Sequence, residues 1–226
     1  MTISRIDWVK LISEESRVSP ILKLEDFVNR LGVSEVRVRR ALLRLAHRGL
    51  VESFGKKIFL NLLVRDFSGR ELVNVLRPQS YISLETALRD SGVISQTPLS
   101  LICVTTGAPA SFRSKISSIV FRHIAPHLYW GFQSRRTQYG AYNLAEPEKA
   151  LLDWIYLQRK RGNAIVTDEF NFRKLNSDKL LSYADKYPKP VRYQLLEILL
   201  RADLAIHRSS SPGQKETSDA KRPLIP

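Results

Sequence analysis

Three arginines, Arg37, Arg40 and Arg44, recur at helical spacing, and two lysines, Lys56 and Lys57, follow directly after a glycine. A guanidinium is a planar fork of N–H donors that stays charged at any physiological pH. Its chemistry is recognition of paired acceptors: a carboxylate, a phosphate, or the O6 and N7 edge of guanine. An ammonium is a compact point charge suited to phosphate. Residues that break bonds are scarce beside them. The chain has no G-x-x-x-x-G-K-[ST], no G-x-G-x-x-G, no G-x-S-x-G and no closely spaced aspartate pair of the magnesium-binding kind. Cys103 is the only cysteine, which rules out an internal disulfide and a cysteine-cluster metal site. His123 and His127 have the i,i+4 spacing of zinc ligands on a helix, but Pro126 between them argues against a helix there. No catalytic residue, metal ligand or cofactor is therefore expected, and binding is the expected activity.

The arginines need a helix to align them. Ile6 to Glu15 has apolar residues at helical spacing, and Pro20 forbids its continuation. Leu24 to Leu31 predicts a second helix, closed by Gly32. Ser34 stands at the N-cap of a third, running to Arg48. Only Gly32-Val33-Ser34 separates the last two, the spacing of a helix-turn-helix. On the third helix Val38, Ala41, Leu42, Leu45 and Ala46 share one face, and Arg37, Arg40, Arg44 and His47 the other. Gly49 ends it. Leu50–Phe54 and Ile58–Leu60 then read as two strands joined through Gly55-Lys56-Lys57. The whole predicts a winged helix-turn-helix over residues 1–63. Arg37 and Arg40 are placed to reach base edges, and Ser34 with the helix N-terminus to take a phosphate. Arg44, Lys56 and Lys57 are placed to contact the phosphates of double-stranded DNA.

The net charge of +14 supports a polyanionic partner, and its distribution is uneven. Residues 1–33 sum to zero, with five basic and five acidic side chains. Residues 34–57 carry seven basic and two acidic residues, a net of +5. Residues 91–145 contain no acid at all, and Arg113, Lys115, Arg122, Arg135 and Arg136 lie among them. These five are expected to form a second basic surface, facing DNA or binding an RNA or nucleotide. The rival reading is that strands use few acids and that these cations are scattered over both faces.

Ser68–Leu76 predicts a short helix within a connector, residues 64–80. Beyond it, residues 81–206 alternate helix and strand. Ser83 is expected to cap a helix running to about Ser91 and stopped by Gly92. Leu99–Thr106, Ser117–Ile124, Leu128–Phe132 and Tyr139–Leu144 read as strands. A strong helix begins at Pro147, with Leu151, Leu152, Ile155 and Tyr156 on its apolar face and Gly162 at its end. Glu148, Lys149 and Asp153 on this helix are assigned to capping and domain packing. Ser177–Lys186 and Lys189–Asp203 read as two further helices, and 207–226 as a polar disordered tail. The fold class expected is α/β (α+β): an N-terminal winged helix-turn-helix, then a mixed α/β domain with a helical C-terminal segment. No apolar run approaches the ~18 residues of a membrane helix, and no signal-peptide core is visible, so a cytoplasmic protein without a membrane partner is expected.

Five blocks of the second domain carry a family resemblance. They are Tyr81-Ile82-Ser83-Leu84-Glu85-Thr86-Ala87-Leu88, Val104-Thr105-Thr106-Gly107, Phe112-Arg113, Phe121-Arg122-His123-Ile124, and Glu146-Pro147-Glu148-Lys149-Ala150-Leu151-Leu152-Asp153. In order and spacing they resemble the AbiEi family, antitoxins of type IV toxin–antitoxin systems that act in phage abortive infection. The resemblance spans about Tyr81 to Leu157. It implies a protein that represses its own promoter at inverted repeats. It also implies that the chain counteracts a nucleotidyltransferase-like toxin without forming a stable complex with it. Many relatives carry basic residues after Thr-Thr-Gly, where this chain has Ala108-Pro109-Ala110, so charge at that turn has no expected role. The alternatives are a stand-alone winged-helix regulator with a ligand-sensing or assembly domain, and a nucleic-acid-modifying enzyme.

Overall fold

A computed structural model describes residues 6–15 and 19–210, with side chains through Ala202. The chain opens with α1 (Trp8–Glu15), β1 (Ile21–Lys23), α2 (Leu24–Leu31), α3 (Glu35–His47), β2 (Val51–Phe54) and β3 (Ile58–Asn61). Asp7 Oδ1 starts α1 by accepting from the N–H groups of Val9 and Lys10, at 3.1 and 3.0 Å. Gly32, at φ 63°, lets the chain leave α2. Gly49, at φ 72°, does the same for α3, with its own N–H and that of Leu50 bonded back to Ala46 and Leu45. Ser34 takes the extended N-cap conformation, but its hydroxyl makes no cap hydrogen bond.

Strand β1 was not expected from the sequence. Its three residues exist through pairing: Ile21 opposite Leu60 and Lys23 opposite Ile58 give an antiparallel sheet in the order β1-β3-β2. Buried Asn61 ties this sheet to α1, its Nδ2 donating to the Ile12 carbonyl at 2.8 Å. Ile12, Leu22, Phe27, Val38, Leu42, Leu45 and Phe59 form the core beneath the two helices.

The rest of the chain is α4 (Leu72–Leu76), β4 (Ser80–Ile82), α5 (Leu84–Asp90), β5 (Leu101–Thr105), β6 (Ala110–Arg113), β7 (Ser118–His123), β8 (Phe132–Thr137), β9 (Gly140–Ala145), α6 (Pro147–Lys160), α7 (Ser177–Ala184) and α8 (Lys189–Ser210). The six strands form one mixed sheet, order β6-β7-β5-β4-β9-β8, in which β5–β7 and β4–β9 are parallel. The chain is thus α/β. Among the described residues no helix is long and apolar enough to cross a membrane.

Several expected boundaries move. Leu128–Phe132 is not a strand: Pro126–Leu128 makes a 3-10 turn, and pairing with β9 starts only at Phe132. The helix expected from Ser68 begins at Leu72, because Gly69, at φ 78°, interrupts it. A Cβ on Gly69 would stand 2.7 Å from Ser117 Cβ, so only glycine fits. Helix α8 continues to Ser210, through the first residues of the expected tail; residues 211–226 lie outside the described residues.

The sheet is covered on both faces. Val104 and Tyr81 point toward α5, α6, α7 and α8, where they meet Leu88, Leu151, Ile155 and Leu195. Ile82, Cys103, Ile119 and Phe121 point the other way, into a cluster that also holds Leu72 and Val73 of α4, Val64 and Phe67 before it, and Phe54 and Leu60 of the β2–β3 hairpin. The segment 64–80 is therefore packed core rather than a free linker. Phe54 lies 5.6 Å from Phe112, ring centre to ring centre, and Glu52 accepts the Lys115 N–H at 2.9 Å.

Under the helical layer lies an ion pair with no solvent contact. Lys149 and Asp153, i and i+4 on α6, are both fully buried. Lys149 Nζ donates to Asp153, to Tyr81 Oη at 2.8 Å and to Tyr187 Oη at 2.6 Å, which uses all three of its protons. Asp153 accepts in addition from Tyr81 and Ser83, at 2.9 and 2.8 Å, and from Tyr187 at 2.6 Å. Burial, opposed by Asp153, lowers the Lys149 pKa, while burial and then the Asp153 charge raise both tyrosines well above their usual value. Ser83, expected to cap α5, instead turns its hydroxyl to Asp153, and Leu84 enters α5 at φ 54°, the one non-glycine residue with positive φ among the described residues. Gly131 is required here as well: at φ 72° its Cβ would press to 3.0 Å from the Lys149 side chain.

Two outcomes follow. Asp153→Ala leaves an unpaired buried cation and should cost ~3–5 kcal/mol in urea unfolding, whereas Lys149→Met with Asp153→Leu should cost clearly less; equal losses would contradict the closed network. Cys103, buried and with its thiol pKa raised by that burial, should react with a thiol reagent only after unfolding.

Candidate nucleic-acid interface

Helix α3 buries Val38, Ala41, Leu42 and Leu45, so the opposite face must be solvated. Arg37, Arg40, Arg44 and His47 occupy it and are exposed, as the periodicity predicts. Ser34, also exposed, stands at the helix start with a hydroxyl that does not cap it, leaving room there for an external acceptor such as phosphate. Glu35 is the one acid of the first turn. Among the described residues Arg37, Arg40 and Arg44 make no ion pair.

Lys56 and Lys57 are exposed in the β2–β3 turn, opened by Gly55 at φ 81°. Two contacts fix this turn, one to α2 and one to α3. The Lys57 carbonyl accepts from Leu24 N, the first residue of α2, at 2.9 Å. The Lys56 carbonyl accepts from the guanidinium of Arg39 at 2.5 Å. Arg39 belongs to the same helix but leaves its exposed stripe, and it bridges helix to hairpin. Its role was not legible in the sequence, because nothing local marks a contact made seventeen positions away. Val36, 59% exposed in the first turn of α3, was also passed over; it adds an apolar contact at the tip of the basic stripe. Beside the stripe, a groove of about 620 Å3 runs between α1 and α3, lined by Trp8, Arg37, Arg44 and Arg48.

The second set of cations is not one surface. Arg113 ends β6 and Lys115 lies in the turn after it, while Arg135 and Arg136 lie on β8. β6 and β8 are opposite edges of the sheet, with four strands between them, or roughly 24 Å at the usual strand spacing. Arg122 stands apart from both, half-buried on the helix-covered side, where burial and nearby Arg161 lower its pKa and Glu85 opposes them. Contiguity in sequence does not survive the strand order. His123 lies in β7, bonded to the Gly107 carbonyl at 3.1 Å, and His127 in the 3-10 turn, so the helical zinc spacing does not arise.

Removing the helix-to-hairpin bridge has a defined consequence. Arg39→Ala should lower stability by about 1 kcal/mol and raise amide exchange at residues 55–57, with α3 itself unchanged. Unaltered exchange in the turn would show that Arg39 does not hold it. The chain matches no known protein-family model and no curated protein sequence, so its functional reading rests on these residues and their geometry.

Proposed function

We propose that the chain is a DNA-binding regulator whose first sixty residues act as a winged helix-turn-helix, with α3 in the major groove and the β2–β3 hairpin as the wing. One observation carries this: α3 exposes Arg37, Arg40 and Arg44 at successive turns, without an ion pair among the described residues, beside a lysine turn tied to the same helix by Arg39. Arg37 and Arg40, nearest the helix N-terminus, read base edges; Val36 offers an apolar contact for a thymine methyl. Arg44, Lys56, Lys57 and the uncapped helix start at Ser34 bind phosphates and set register.

The second domain takes the antitoxin part of the reading. The first and last blocks that resemble the AbiEi family meet in the buried network, Tyr81 and Ser83 from one and Lys149 and Asp153 from the other, which supports treating them as a single structural unit. On this reading the protein acts in the cytoplasm, represses its own promoter at inverted repeats and opposes a nucleotidyltransferase-like toxin without a stable complex. The buried pair is sealed from solvent, so no substrate reaches it, and its charges serve packing rather than chemistry.

Fluorescence anisotropy on the chain's own upstream DNA tests this. Affinity should exceed that for a shuffled duplex, and Arg40→Ala should weaken specific binding by about 10- to 100-fold. In cells the same variant should lose repression and keep protection when co-expressed with the neighbouring toxin gene. Equal affinity for shuffled DNA would remove the regulator reading; loss of protection together with repression would remove the division between domains.

A further inference from the structure

An open cleft of about 610 Å3 lies between α5, the segment before β5 and the β6–β7 turn. Its wall carries four cations, Arg70, Arg89, Arg113 and Lys115, against one carboxylate, Asp90. Asp90 is engaged by Arg70 through both oxygens, at 2.5 and 2.9 Å. Arg89 bonds the neutral Thr97 hydroxyl at 3.2 Å. Among the described residues Arg113 and Lys115 make no ion pair. Even with Glu52 counted, which approaches this turn at the Lys115 N–H, the cleft keeps a positive surplus.

The cleft is also pre-formed. Ser114 Oγ accepts from Ile116 and Ser117 N–H, at 3.2 and 2.9 Å, and donates to the Ser117 carbonyl at 3.0 Å, which locks the turn bearing Lys115. Gly69 packs flush against that turn. Seven serine and threonine side chains line the walls, and Leu99 stands fully exposed on the lining. Guanidinium and ammonium groups with hydroxyl donors suit phosphoryl oxygens, and an exposed leucine suits the flat apolar face of a base.

We propose that this cleft binds a phosphorylated ligand of nucleotide size, with its phosphates on Arg89, Arg113 and Lys115. The site is distinct from the α3 stripe and does not depend on DNA being bound there. The ligand is either a free nucleotide or one unit of a nucleic-acid strand, and the two share this chemistry.

The test uses the full chain carrying Arg37→Ala, Arg40→Ala and Arg44→Ala, so that the α3 stripe cannot contribute and failure of the DNA reading stays separate. ATP, adenosine, inorganic pyrophosphate and a ten-nucleotide RNA are titrated calorimetrically. Saturable binding of ATP or of the RNA is expected, with adenosine weaker by about ten-fold or more. ATP binding identifies a free nucleotide as the source; RNA binding without ATP binding identifies a strand. Adding Arg113→Ala and Lys115→Ala, both exposed, should weaken the bound probe by about ten-fold, while Arg135→Ala and Arg136→Ala, at the far sheet edge, should leave it within about two-fold. Saturable binding of neither probe, adenosine binding as tightly as ATP, or equal effects of the two double substitutions would overturn the proposal. Thiol protection of Cys103 reports that each variant is folded.

Discussion

Phe54 and Leu60, from the two strands that carry the lysine turn, are buried in the same apolar cluster as Ile82, Cys103, Ile119 and Phe121 of the six-stranded sheet. An isolated two-stranded hairpin is marginal in water. Here one hairpin face is committed to a second domain, each large side chain contributing about 1.5–3 kcal/mol by burial. The hairpin cannot swing freely, and its tip is what remains to meet a ligand. Because Arg39 and Leu24 tie that tip to α3 and α2, the basic stripe and the lysine turn inherit a fixed spacing from the large sheet behind them. Pre-organisation of this kind lowers the ordering cost of the DNA binding proposed above.

The Lys149–Asp153 pair is a second fixed point. Its partners come from β4, from the residue after it and from the segment between α7 and α8, so one network joins sheet and helical layer. Burying two charges is unfavourable unless every donor and acceptor is met, and here every Lys149 proton has an acceptor. Such a network specifies one packing of the domain. It also explains why charged residues sit on the inner face of a helix whose neighbours at those levels are leucine and alanine.

What the sequence shows of this protein is what is encoded locally. The span of α2, the face of α3 and the stops at Gly32 and Gly49 follow from periodicity and glycine. Strands β1, β4 and β6 do not: unlike the equally short β2 and β3, which a Gly-Lys-Lys turn marks as a hairpin, they have no local turn signal pairing them with a neighbour and owe their conformation to their partners. Of the candidate interface, Arg37, Arg40, Arg44, Lys56 and Lys57 were legible as an exposed basic set; Arg39 was not, since its partner lies across a fold. Lys149 and Asp153 were read as packing residues, yet i,i+4 spacing alone cannot distinguish a surface pair from a buried one. The acid-free stretch suggested a single surface, and strand order divided it between opposite edges of the sheet.

The proposed DNA recognition by α3 is tested most directly by the salt dependence of binding to the chain's own upstream DNA. For the native chain, log K against log salt concentration should fall steeply, by about 0.9 for each phosphate neutralised. Arg44→Ala with Lys56→Ala and Lys57→Ala should flatten that slope by about 2–3. A slope left unchanged by removal of these three cations would contradict the placement of DNA on α3 and its hairpin.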